Sequence, residues 1–176
     1  MIVPSGAVEA LQSRKRPDLT QLRHPEIAVL RAGAPERTDD DPDRDWTGFH
    51  VDFSEKELLA ALSGWWRCDP ARVAATGVMP VTVAGFVVAV LTGLDEWIPD
   101  GGTGTSLRYR FTSARLAGYL TDLTVPVNRI ASAPTGTDDR RLADLLLGTR
   151  LEAVSGGPIA YVPTHPATDP ASAEGE

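Results

Sequence analysis

The stretch Ser63-Gly64-Trp65-Trp66-Arg67-Cys68-Asp69-Pro70 gathers two of the four tryptophans, a guanidinium, the one cysteine and a carboxylate. Residues of these types can stack on a flat ring, fork onto a phosphate or accept from a base amino group. Adjacent residues of a strand point to opposite faces, so one of Trp65 and Trp66 belongs to the core and the other is left to contact something else. Trp97 stands in a second unusual place. It lies in the loop 94–106 with Pro99 and three glycines, where a core role explains an indole less easily.

Other chemistry finds little support. His24, His50 and His165 are far apart, and none sits in a metal-ligand spacing. No nucleophile elbow or phosphate loop is present; Gly101-Gly102-Thr103-Gly104 lacks the following helix that phosphate cradling needs. No two carboxylates are spaced for acid–base work. Cys68 beside Arg67 reads either as a thiol of lowered pKa or as a core residue. We expect no catalysis, no metal and no cofactor. A single cysteine excludes an internal disulfide and a zinc cluster, and no apolar run approaches a membrane span. The composition therefore reads as that of a reduced, cytoplasmic protein, nucleoid-associated if it binds DNA.

The net charge of −7 argues against nucleic acid, but its distribution softens that. Residues 36–45 hold six acids and two bases, so this decapeptide alone carries −4. Lys15 and Lys56 are the only lysines; the remaining basic charge is arginine, which can fork and stack. Arg14-Lys15-Arg16, with Arg23 further on, reads as an arm that contacts phosphates or as a solvated basic turn.

The positioning elements follow from local patterns. Residues 5–12 suit a short helix and 26–31 a strand, and the acidic stretch 34–45 is a solvated loop. Trp46 to Phe53 alternates, with Phe49, Val51 and Phe53 on one face and His50 and Asp52 on the other, as a second strand does. Ser54 with Glu57 forms a capping box ahead of an apolar helix. A strand carries Trp65 and Trp66. Asp69 then caps a short helix that Pro70 opens and Gly77 ends. Residues 80–92 form a strand pair or one bent strand, with a bulge or close approach at Gly85. Residues 107–112 form a strand with Arg108 and Arg110 on one face. Residues 113–120 suit a helix, 123–131 an extended edge segment, 137–147 an amphipathic helix and 158–162 a closing strand. Short strands interrupted by a few helices indicate an α+β fold, a small curved or partly closed β-barrel flanked by helices. The expected division is a basic arm, strand and acidic loop over 1–45, a barrel domain over 46–162 and a disordered tail over 163–176.

From Trp46 to Arg115 the chain resembles the PUA-like superfamily, in its EVE and YTH branches of modified-base readers. The likeness rests on the strand at 49–53, the helix after it and Gly64-Trp65-Trp66. It continues through the apolar strand around Gly85, Glu96-Trp97-Ile98-Pro99 and the strand bearing Tyr109 and Phe111. It extends to actinobacterial proteins of this type that bind 5-methylcytosine in DNA. The resemblance implies that Trp66 and Trp97 wall an aromatic cage and that Asp52, Phe53 and Ser54 meet the base edge. The implied function is non-enzymatic: the domain reads double-stranded DNA carrying 5-methylcytosine by flipping the base. The alternatives are a modified-RNA-binding domain of the same fold and an acidic protein-interaction module.

Within that expectation Asp52 or Asp69 accepts from a cytosine amino group. Arg14, Lys15, Arg16 or Arg23 fills the gap in the base stack or holds phosphates. Arg67, Arg72, Arg108 and Arg110 supply further backbone contacts, and the acidic loop lies away from the DNA.

Overall fold

Most of the apolar runs end up in one sheet. The structure, a computed structural model, describes residues 5–123, 129–130 and 136–166. Its strands are β1 (Glu26–Arg31), β2 (Glu36–Arg37), β3 (Trp46–Thr47), β4 (Val78–Val83), β5 (Phe86–Thr92), β6 (Trp97–Pro99), β7 (Tyr109–Phe111), β8 (Arg115–Leu120), β9 (Arg129–Ile130) and β10 (Ile159–Pro163). The α-helices are α1 (Ser5–Gln12), α2 (Glu55–Leu62), α3 (Pro70–Thr76) and α4 (Thr137–Leu146).

Six strands form the central sheet in the order β10-β1-β4-β5-β8-β9, and β2-β3 and β6-β7 form two small ribbons. The fold is α+β. The expected partly closed barrel is not closed among the described residues: the outer strands β10 and β9 do not pair with each other. β1 runs parallel to β4 and antiparallel to β10. Residues 26–31 therefore share one sheet with the strands of 46–162. Among the described residues no helix is long and apolar enough to cross a membrane. Much of the expected edge segment 123–131, and residues 167–176 of the expected tail, lie outside the described residues.

Alternation along β1 shows how the sheet is buried on both faces. Ala28 and Leu30 join a cluster with Leu58 and Leu62 of α2, Val73 of α3 and Phe111. Ile27 and Val29 join a second cluster with Leu142, Ala143 and Leu146 of α4. α4 is the amphipathic helix that its pattern predicts, and Gly148 follows it at φ 71°.

The helix signals near the tryptophans are realised. Ser54 Oγ accepts from Glu57 N at 3.3 Å, and Glu57 Oε2 accepts from Ser54 N at 2.9 Å. The Ser54 bonds hold the Glu57 carboxyl below its ordinary pKa. Asp69 accepts from Arg72 N at 3.1 Å, and Gly77 ends α3 in the left-handed region at φ 69°.

Four expectations are corrected. Residues 113–120 are not helical: β8 lies between β5 and β9 with every residue but Arg115 buried. A short apolar run buried on both faces has no periodicity to separate strand from helix. A methyl on Gly118 would come within 2.8 Å of Leu147 Cδ1 and 3.2 Å of Ala143 Cβ, so α4 and its C-cap pack closely over that glycine. The Trp46–Phe53 strand stops at Thr47, because Gly48 at φ 82° turns the chain and Phe49 N donates to Gly33 O instead. Gly85 is no bulge. With Ala84 at φ 50° and itself at φ 84°, it makes the two-residue turn between β4 and β5. The register shift falls instead at Val81/Thr82.

The acidic stretch is the fourth. It carries β2, which pairs with β3, and it folds back onto the end of α2. The last carbonyls of a helix lack internal partners. Here Arg44 Nη1 donates to Ala61 O at 3.2 Å and to Gly64 O, while Arg44 Nε donates to Asp41 Oδ2 at 2.7 Å. A helix C-terminus attracts a cation, so the run 36–45 is anchored through an arginine embedded among its acids.

Candidate nucleic-acid interface

Trp66 forms an antiparallel bridge with Tyr109, giving and receiving backbone hydrogen bonds of 2.8 and 2.9 Å. Tyr109 pairs on its other side with Pro99, and Phe111 pairs with Trp97. Directly opposed residues share a face, as do residues two apart. The expected strand through Trp65 and Trp66 is reduced to this single bridge, which sets Trp66 beside the two-stranded β6-β7 ribbon. Trp66, Tyr109, Phe111, Trp97 and Pro99 therefore lie on one face. Trp66 and Trp97 flank β7, two strand spacings apart and offset by two residues along it, about 12 Å. Phe111 is buried, whereas Trp66 and Trp97 are half-buried and pack against the same core cluster.

Two contacts orient Trp66. Its Nε1 donates to Leu62 O at 2.9 Å, and the Arg44 guanidinium carbon stands 5.5 Å from the ring centroid. Burial draws the Arg44 pKa down while Asp41 works against it. Sequence reasoning missed Arg44. The one available signal was Asp41 and Arg44 three residues apart, which is weak inside a charge run.

Ile98 and Arg110, paired in register, take the opposite face of the ribbon. Arg110 Nη1 lies 2.6 Å from Asp43 Oδ2. The expectation that the acidic loop keeps clear of this surface is thus overturned, since the loop touches it. Gly64 has a local reason to be glycine, because a Cβ there would fall 2.7 Å from Arg110 Cα. Arg67 is exposed and forms no ion pair among the described residues. Arg67, Cys68, Gly104, Thr105, Leu107 and Tyr109 line a cavity of about 340 Å³. A second cavity, of about 430 Å³, lies between α2 and the ribbon and includes Lys56, Ile98 and Arg110. Neither Trp66 nor Trp97 lines either one.

The other expected residues are distributed as follows. Trp65 is half-buried beside Trp66. Asp52 is exposed, its Oδ2 3.7 Å from His50 Nδ1. Phe53 packs into an aromatic group, its ring centroid 5.8 Å from Trp46 and 5.7 Å from His50. Ser54 is committed to the capping box with both its hydroxyl and its backbone N–H. Asp69 spends one oxygen on its helix cap.

Arg72 belongs to the sheet edge rather than to the ribbon. It grips Glu26 with two bonds of 2.6 Å and stacks 3.6 Å from the Tyr161 ring centroid. That grip holds the Glu26 carboxyl below its ordinary pKa. The basic arm is also elsewhere. Lys15 O accepts from Arg150 N at 2.9 Å, Arg16 pairs with Glu152 at 3.8 Å, and Leu151 N donates to Gly85 O. The arm, Arg14 included, thus follows the 150–152 segment at the turn between β4 and β5, whereas Trp97 follows the far end of β5. The length of β5 separates them, about 20 Å at the usual strand rise. Arg23 lines a separate cavity of about 410 Å³ with His24 and Arg141.

Cys68 resolves toward the core reading. Its pKa is pushed up to about 12, first by burial and then by the neighbouring Asp69 carboxylate. Arg67 does not activate it. In an iodoacetamide time course at pH 8 the thiol is expected to react far more slowly than free cysteine. Labelling as fast as free cysteine would show that the thiolate is accessible.

The chain finds no match among protein-family models, curated proteins or solved structures.

Proposed function

We propose that this chain is a non-enzymatic, PUA-like reader of modified DNA that binds 5-methylcytosine after the base has left the helix. The observation that carries the reading is the common ribbon face of Trp66 and Trp97, both of them half-buried. Both aromatic surfaces come from backbone-paired segments, so their separation is held by hydrogen bonds rather than by loop conformation. Arg67 and Arg108 border the same ribbon and can meet phosphates.

Extruding a base costs a few kcal/mol. Stacking returns about 1–3 kcal/mol per aromatic contact, so two rings balance the extrusion where one falls short. The methyl group adds only about 0.8 kcal/mol on burial, roughly a fourfold preference. Discrimination beyond that requires a polar contact to the cytosine edge. Asp52 and Asp69 are exposed carboxylates on either side of Trp66 in the sequence, and a carboxylate accepts from cytosine N4.

The test is titration of a labelled duplex with and without 5-methylcytosine, at one fixed salt concentration because phosphate contacts make affinity salt-dependent. A methyl preference above fourfold is the expected result. Equal, weak binding to both duplexes rejects the reading. The same sequence as RNA serves as competitor, since an RNA reader uses the 2′-OH.

A further inference from the structure

The cation-bearing face of the ribbon is covered by a carboxylate of the same chain. Asp43 reaches into the 430 Å³ cleft between α2 and the ribbon and pairs with Arg110 at 2.6 Å. Lys56 lines the same cleft, and its apolar wall includes Leu59, Ile98 and Phe111. Asp43 is the one acidic residue among those lining it. It is brought there by a loop that is pinned on both sides. Arg44 fastens the loop to α2, and Thr38 binds Asp45 O through its N–H and Arg44 O through its hydroxyl.

The Asp43 side chain is 45% exposed and the Arg110 side chain 22%. An ion pair this open to water is weak, so another anion can replace it at little cost. A phosphodiester offers a guanidinium two oxygens and one negative charge, the same recognition that a carboxylate offers.

We propose that the Arg110–Lys56 cleft is a backbone-phosphate site that Asp43 occupies in the free protein, and that a nucleic-acid strand binds by displacing this carboxylate. The proposal rests on the nucleic-acid half of the reading above and not on base flipping. Asp43 then weakens binding twice, by competing for Arg110 and by repelling the incoming phosphate.

The test uses D43N, D43N/R110Q and the unaltered chain with an unmodified duplex. The D43N change removes the charge while keeping the size of an exposed side chain, and a thermal melt checks that the fold is retained. D43N is expected to bind about two- to fivefold more tightly. Its slope of log K against log salt is expected to steepen by about one. The double variant is expected to lose the gain. Unchanged or weaker binding by D43N, or a gain that survives R110Q, overturns the proposal. Inorganic phosphate separates the two sources of the anion: a D43N gain on the duplex and none with free phosphate assigns the cleft to a strand. A gain with free phosphate alone overturns that assignment. A D43N gain without any methyl preference removes base flipping and leaves this inference standing; a methyl preference without the gain removes this inference alone.

Discussion

Alanine at Trp97 is expected to reduce affinity for a 5-methylcytosine duplex by about 1–3 kcal/mol, a loss of roughly 5- to 150-fold. Affinity for an unmodified duplex held only through its phosphates should change little. Trp97 is the better of the two tryptophans to remove. Trp66 also donates to Leu62 O and packs beside Arg44, so its loss disturbs the end of α2 as well. Trp97→Phe provides the control, keeping a ring on the ribbon face. Fluorescence anisotropy with paired duplexes reads both numbers. If Trp97→Ala binds both duplexes as the unaltered chain does, Trp97 is no wall of a base pocket.

The second large effect concerns stability. Arg44→Met is expected to cost about 3–5 kcal/mol, the range for removing one member of a buried ion pair. The Arg44 and Asp41 side chains are only 10% and 13% exposed, which sets this pair apart from the open Asp43–Arg110 contact. Methionine keeps much of the volume but leaves the Asp41 carboxylate without its counter-ion and the Ala61 and Gly64 carbonyls without their donor. Urea unfolding followed by far-UV circular dichroism measures the loss as a lower midpoint at unchanged slope. A cost below about 1 kcal/mol would show that the pair behaves as a surface contact. Because Arg44 also lies beside Trp66, methyl preference should weaken in Arg44→Met even at temperatures where the variant is fully folded.

Local signals in the sequence carried the elements whose ends are chemically marked. Ser54 with Glu57, and Asp69-Pro70 with Gly77, each announce a helix through backbone groups that only those side chains or conformations satisfy. The strand at 26–31 and the helix at 137–146 were legible from apolar patterning. What failed depended on distant partners. Leu116 to Leu120 is a strand because two strands and α4 enclose it, which nothing within the segment encodes. Phe49, Val51 and Phe53 do face the core and His50 and Asp52 do face out, as the alternation indicated, but after the turn at Gly48 they do so without being a strand. The order of Trp66, Trp97 and Tyr109 along the chain was readable, but their shared ribbon face required the register of β6 and β7. The least legible part was the acidic loop. A run of carboxylates reads as solvated, and its attachment through one arginine is set by the carbonyls of Ala61 in α2 and of Gly64 just after it.

The sheet order bears on how the protein is made. β1 lies between β4 and β10, and its partner on one side, residues 159–163, is among the later parts of the described chain to be synthesised. A ribosome adding about 5–20 residues per second therefore leaves an apolar strand with one unpaired edge for several seconds. Such an edge is a template for strands of other chains. Slower translation through the C-terminal third should lengthen that exposure and lower the soluble yield, with no change in the finished molecule.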